Sequence, residues 1–81
     1  MLEPRQPLAL YMEGALGDYL GKLGYGALRY SSNPIACVID SRHAGKDVRE
    51  VVTSPRSCPV VAGLDEAIAL GSEVFVLGIA P

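Results

Sequence analysis

The 81-residue sequence has no tryptophan, one phenylalanine and one histidine. Its apolar runs are short, whereas a membrane helix needs roughly 20 consecutive apolar residues, so no membrane partner is expected. There are two cysteines, Cys37 and Cys58, and their spacing fits neither a redox CxxC pair nor a zinc site. That excludes a disulfide scaffold. The expectation is two reduced, buried thiols, no metal, and a cytoplasmic protein. The seven Lys and Arg are scattered and the net charge is −2. With no basic stripe and no recurring aromatic platform, a nucleic-acid partner is not expected either. The opening MLEPRQP lacks a signal-peptide pattern, and its two prolines predict an extended arm over residues 1–7. No Ser/His/Asp set or carboxylate pair suggests a catalytic residue. Internal repeats and low-complexity segments are also absent from the sequence.

What is abundant is apolar surface. The apolar fraction is 49% and the mean hydropathy is positive, on a chain with room for one small domain. A domain this short buries only about 60% of its unfolded surface. The composition therefore predicts a piece of a larger protein, with some apolar surface meant for a partner domain or a homo-oligomer.

The chain is organised around residues 8–17, LALYMEGALG. An apolar strand at 8–12 runs into Glu13 and a Gly-x-x-Gly turn, and a helical pattern follows. This is how nucleotide-binding α/β units begin. Leu16, Tyr19, Leu20, Leu23 and Ala27 make one apolar stripe, predicting a helix over about 15–28 that could stop early near Gly24 or Gly26. Residues 35–39 are a second apolar strand ending at Asp40. The intervening crossover of more than twenty residues suits a parallel pair. A polar loop, DSRHAGK, covers 40–46, and 47–52 has room for a turn or two of helix. A third strand is expected at 59–62. Gly63 would then cap a helix whose apolar face is Leu64, Ala67, Ile68 and Leu70, with Gly71 as its stop. Residues 73–78 are strand four. The class is α/β: a small Rossmann-like three-layer domain over 8–81, with a parallel four-stranded sheet in the order 3-2-1-4.

In such a sheet ligands bind beyond the C-terminal strand ends. Gly14, Ala15 and Gly17 could present backbone N–H groups and a helix N-terminus to a phosphate. The GxGxxG fingerprint is broken, however, and Glu13 puts a negative charge beside any phosphate. Asp40 stands where dinucleotide binders hold ribose hydroxyls, 26 residues after Gly14. Arg42 and Lys46 could hold a phosphate, by fork geometry or as a point charge. His43, in the same loop, has no evident acid–base partner. Each of these residues also has a plain structural reading, as a tight turn, a cap or a solvated loop.

Three stretches, LALYMEGALGDYLGKLGYGALRYS, NPIACVIDSRHAGKDV and CPVVAGLDEAIALGSEVFVLGIAP, resemble the N-terminal Rossmann-like domain of the DUF1611 family. That family was once labelled NAD-dependent epimerase/dehydratase. The resemblance implies a C-terminal P-loop-like domain following residue 81. It also implies an activity described for some members, acetyl-CoA-dependent N-acetylation of D-amino acids such as D-glutamate. It assigns no catalytic residue here. A more distant likeness, carried by the second and third stretches, runs to the CoA-binding domain of the succinyl-CoA-synthetase type. Three expectations result. The domain binds CoA, acetyl-CoA or a dinucleotide through Gly14, Ala15, Gly17, Asp40, Arg42 and Lys46. Alternatively, it is a ligand-free structural or oligomerisation domain. Or it belongs to an NAD-dependent enzyme, which the broken glycine pattern disfavours.

Overall fold

Four short strands with apolar side chains on both faces can be stable only if helices or loops cover both sides. The computed structural model of the chain, which describes residues 5–14 and 22–78, meets that requirement in three layers. In chain order the elements are β1 (Leu8–Tyr11), α1 (Lys22–Tyr30), β2 (Ile35–Ile39), two 3₁₀ turns (Ser41–His43 and Val48–Glu50), β3 (Val60–Val61), α2 (Leu64–Ala69) and β4 (Val74–Leu77). All strand pairs are parallel and the sheet order is β3-β2-β1-β4, as the sequence predicted.

β1 is central. Leu10 pairs with Val38 on one side and Val76 on the other; Tyr11 pairs with Ile39 and Leu77. Alternate side chains point to opposite faces, so this strand helps build two cores. Leu10, Met12, Val38 and Val60 pack with Leu28 of α1 and with Val48 and Cys58 of the β2–β3 connection. Ala9, Cys37, Ile39 and Val61 pack with Ala67 of α2. Connections that run from β1 outward to β3 thus cover one face. The connection that doubles back to β4 covers the other, as right-handed crossovers require.

Several boundaries differ from expectation. β1 ends at Tyr11, although Met12 stays buried and its N–H still bonds Ile39 O at 3.0 Å. α1 does not stop at Gly24 or Gly26. It runs to Tyr30, and the Ser31 N–H closes on Ala27 O at 3.0 Å. Burial of Leu28 outweighs the glycine cost of up to ~1 kcal/mol each. The start expected for this helix, near residue 15, lies outside the described residues. The helix expected at 47–52 is a single 3₁₀ turn with a capping box, in which Asp47 accepts from Arg49 N–H and Glu50 accepts from Asp47 N–H. β3 is only two residues long, and residues 45–48 run along its outer edge. Gly45 N–H bonds Val60 O, Val60 N–H bonds Lys46 O and Val48 N–H bonds Cys58 O. That cover hides an edge that would otherwise template another strand.

Arginines hold the loop after this edge. Arg49 donates from Nε to Ser54 O at 3.1 Å and from Nη2 to Pro55 O at 2.8 Å. Arg56 donates to the carbonyls of Asn33 and Ser31, tying the loop to the turn before β2. The arm is anchored too: Pro7 O accepts from Glu73 N–H at 2.9 Å, and Gln6 O accepts from the Asn33 side chain at 3.1 Å.

The largest departure concerns α2. Of the predicted face only Ala67 is buried, while Leu64, Ile68 and Leu70 are about half-exposed. The sheet beneath offers Ala9 and Cys37, small side chains that let the helix approach closely with Ala67 as its contact. The helix ends at Gly71, whose φ of +88° would strain any side chain. Leu10→Ala should therefore cost about 2–5 kcal/mol in urea unfolding. Ile68→Ala in the same 81-residue chain should stay within about 0.5 kcal/mol of wild type. A large loss for Ile68→Ala would mean that α2 packs on its wider stripe after all.

Candidate functional site

The C-terminal ends of the strands bring together Glu13 and Gly14 after β1, Asp40 to His43 after β2, Ala62 and Gly63 after β3, and Gly78 after β4. Backbone bonds fix them: Asp40 N–H to Val61 O and Gly78 N–H to Tyr11 O, each 3.0 Å. Parallel pairing carries the ladder to the last residue of each strand, so these loops leave from one rim.

Asp40 is fully buried. Its Oδ1 accepts from Arg42 N–H at 3.1 Å and lies 3.5 Å from Arg42 Nε, and its main-chain O accepts from His43 N–H at 3.1 Å. The side chain thereby caps the Ser41–His43 turn. Its Oδ2 has no hydrogen-bond partner. The Nδ1 of His43, the residue after Arg42, is likewise buried without one. Unpaired buried polar atoms are rare because each forfeits its hydration, about 1–3 kcal/mol. Two within four residues mark this turn as unlike the rest of the rim.

Glu13 bridges the first two loops. Its Oε1 accepts from Ser41 N–H at 2.8 Å and its Oε2 from Ser41 Oγ at 2.5 Å. These donors, a main-chain N–H at the start of a turn with a hydroxyl beside it, are the kind an anion would take. The protein's own carboxylate holds them. A shallow open depression of about 400 Å³, lined by residues 62–66, adjoins the rim. Its side chains include Asp65 and Glu66, and Glu66 Oε2 lies 3.4 Å from Ala62 N. Among the described residues carboxylates therefore outnumber cations around the rim.

The predicted residues separate into three groups. Asp40 and Arg42 are together, and Gly14 is in the adjoining turn with φ +78° and open space around its Cα. Ala15 and Gly17 lie outside the described residues. Lys46 sits on the outer edge of β3, at the far side of the sheet from the β1–β4 switch point, where its main chain pairs with Val60. The sequence reading missed the Ser41 bridge. Its only signal was an acidic residue directly after β1 and a hydroxyl residue directly after β2. A separate cleft of about 270 Å³ between α1 and residues 53–55 lies near the N-terminal end of β2 and contains no carboxylate.

Both thiols are buried and held towards the protonated form. Burial pushes Cys58 from its ordinary 9.0 up to about 12, helped by the Asp47 carboxylate. Burial also raises Cys37, against a weak contact with the Ser72 hydroxyl. Asp47 goes the other way, lowered by bonds from the Ser57 hydroxyl and Arg49 N–H. Among the described residues no group of three or more His, Cys, Asp or Glu could hold a metal ion, and no helix is long and apolar enough to cross a membrane.

Residues 41–81 match the family described as "Domain of unknown function (DUF1611_N) Rossmann-like domain". A crystal structure of a DUF1611 family protein from Anabaena variabilis superposes with a TM-score of 0.88 and 36% identity over 95% of this chain. The chain spans 22% of that protein's length. No curated protein matches.

Three outcomes are expected. Both thiols should resist a disulfide reagent at pH 8 in the native protein and react fully once it is unfolded, since only the thiolate attacks. Because the folded value of Cys58 exceeds the unfolded one, stability should fall as pH rises from about 9 towards 12. Glu13→Ala should remove both bonds to Ser41, lowering stability by about 1 kcal/mol and speeding amide exchange at Ser41. Unchanged exchange there would dismiss the bridge.

Proposed function

The chain belongs to the DUF1611 family, and from that premise we propose that it is the ligand-binding N-terminal module of a longer, two-domain protein, recognising the hydroxyl groups of a nucleotide-like cofactor at the rim of β1 and β2. The observation that carries this reading is the unpartnered Oδ2 of Asp40. A buried carboxylate oxygen at the end of the second strand gains most from a ligand hydroxyl, because the hydroxyl restores the hydrogen bond lost with water. Arg42 holds the other oxygen and keeps the carboxylate oriented.

The charge around the site narrows the ligand class. Glu13 occupies the Ser41 donors and acidic side chains line the adjoining depression, so polyphosphate finds little here among the described residues. A free ribose diol, as in NAD or ATP, suits Asp40. CoA carries a phosphate on its ribose, and a carboxylate repels it. If the protein is an acetyl-CoA-dependent N-acetyltransferase of D-amino acids, as the family resemblance implies, acetyl-CoA would make its main contacts in a C-terminal P-loop-like domain. Acetyl transfer would then belong to the whole protein.

One observation favours a second reading, a ligand-free structural module. Glu13 and Ser41 satisfy each other and close the gap between the first two loops without any ligand. Amide NMR titration with NAD, ATP, CoA and acetyl-CoA separates the two. The binding reading expects shifts at residues 13–14 and 40–43 with NAD or ATP, weaker ones with CoA, and none of these with a 2′,3′-dideoxy nucleotide. Asp40→Asn should weaken binding roughly tenfold or more while leaving the fold intact, as expected for loss of one hydrogen bond to a charged group. Absence of shifts with all four ligands, in the protein as its full reading frame encodes it, would leave the structural reading standing.

A further inference from the structure

The two faces of the sheet are covered unequally. On the first face, Leu10 is buried and Val76 packs against the core that contains Leu28 of α1. On the second, α2 packs through Ala67 on β2, β3 and Ala9 of β1, and no residue of β4 belongs to that cluster. The register places Tyr11, Phe75 and Leu77 on this second face, with Ala9 opposite Phe75 and Tyr11 opposite Leu77. They are 39%, 44% and 61% exposed.

Helical geometry adds a wall to this floor. Glu66, Ala69 and Leu70 line a depression together with Val60 and Val61 of the edge strand, so that flank of α2 faces β3. At 100° per residue, Leu64 and Ile68 fall on the opposite flank, towards β1 and β4. Both are more than half exposed. By register and helical spacing, five exposed apolar side chains thus share the β1–β4 side of this face, a larger cluster than scattered surface leucines would make.

The direction of winding says what fills it. From β3 the chain doubles back through α2 to β4, and α2 lies on the second face. A further parallel strand beyond β4 would continue in that direction. Its right-handed crossover would lay the next helix on the same face, beside α2. Among the described residues β4 is paired on one edge only, with β1. The similar DUF1611 protein is several times longer than this chain, so polypeptide for such a crossover exists in the family.

We propose that Tyr11, Phe75, Leu77, Leu64 and Ile68 form the seat of an amphipathic helix supplied by the polypeptide that follows β4 in the longer protein. This rests on the reading of the chain as one module of that protein, and not on its binding a cofactor. The helix presents aliphatic side chains to the groove at i, i+3, i+4 and i+7, and polar ones outward.

Hydroxyl-radical footprinting of the unaltered protein, as its full reading frame encodes it and without ligand, tests the proposal. Each residue's modification rate is divided by its own rate in urea. Tyr30, 79% exposed at the end of α1, is the internal reference. Tyr11 and Phe75 should be modified about fivefold or more slowly than Tyr30, as befits side chains in the dry centre of a contact. Rates at Tyr11 and Phe75 of about half that at Tyr30, the ratio their own exposures give with nothing seated on them, would overturn the proposal. Protection that disappears on dilution would also overturn it, by assigning the groove to a second copy of the chain. Because no ligand is present, none of these outcomes depends on whether Asp40 binds a hydroxyl.

Discussion

Parallel hydrogen bonding on both edges of β1 is the constraint on which the rest of the domain depends. Parallel strands cannot be joined by tight turns, so every connection must cross a face of the sheet. With β1 in the middle, outward connections to β2 and β3 cover one face and the return to β4 covers the other. The two cores follow from that division, and so does the site. Every strand points the same way, so all the loops that leave the strand ends, including those carrying Glu13, Asp40 and Ser41, share one rim.

The rim combines two opposed electrostatic facts. Asp40 is a buried carboxylate with one oxygen held and one unpaired. Glu13 is a second carboxylate that has taken the donors an anion would need. Either alone would be ambiguous. An orphan oxygen could be a local packing defect, and a satisfied carboxylate could be a simple loop clamp. On the proposed binding reading, the two together favour one ligand class: Asp40 has an oxygen left to accept a hydrogen bond, and the Ser41 donors are already spent. A ligand with hydroxyl donors fits that balance better than one with bare phosphate oxygens.

Element order, strand direction and sheet order were legible in the sequence because they rest on apolar runs and crossover lengths. Those signals do not depend on side-chain detail. The same holds for Asp40, whose place follows from where β2 ends. What was not legible depends on contacts between distant segments. Lys46 seemed to share a loop with Arg42, but residues 45–48 turn aside to pair along β3, and no local signal announces that pairing. Ser41 carries no signal of its own within the polar loop 40–46, because its partner Glu13 lies 28 positions earlier. For α2, helical periodicity marked four apolar positions, but only the small residues beneath it decide which one makes contact.

That last case explains the high apolar content of so small a chain. A helix that docks through one alanine buries little, and it leaves Leu64 and Ile68 exposed, as Tyr11, Phe75 and Leu77 are. If those five positions faced water throughout the protein's life, polar residues there would cost nothing and would protect against aggregation. On the opposite face, where α1 and the β2–β3 connection provide cover, Leu10 and Met12 are buried and Val76 is partly buried. Apolar residues on both faces therefore imply cover on both faces. The fold supplies one cover in full and half of the other, and the winding direction puts the missing half immediately after β4.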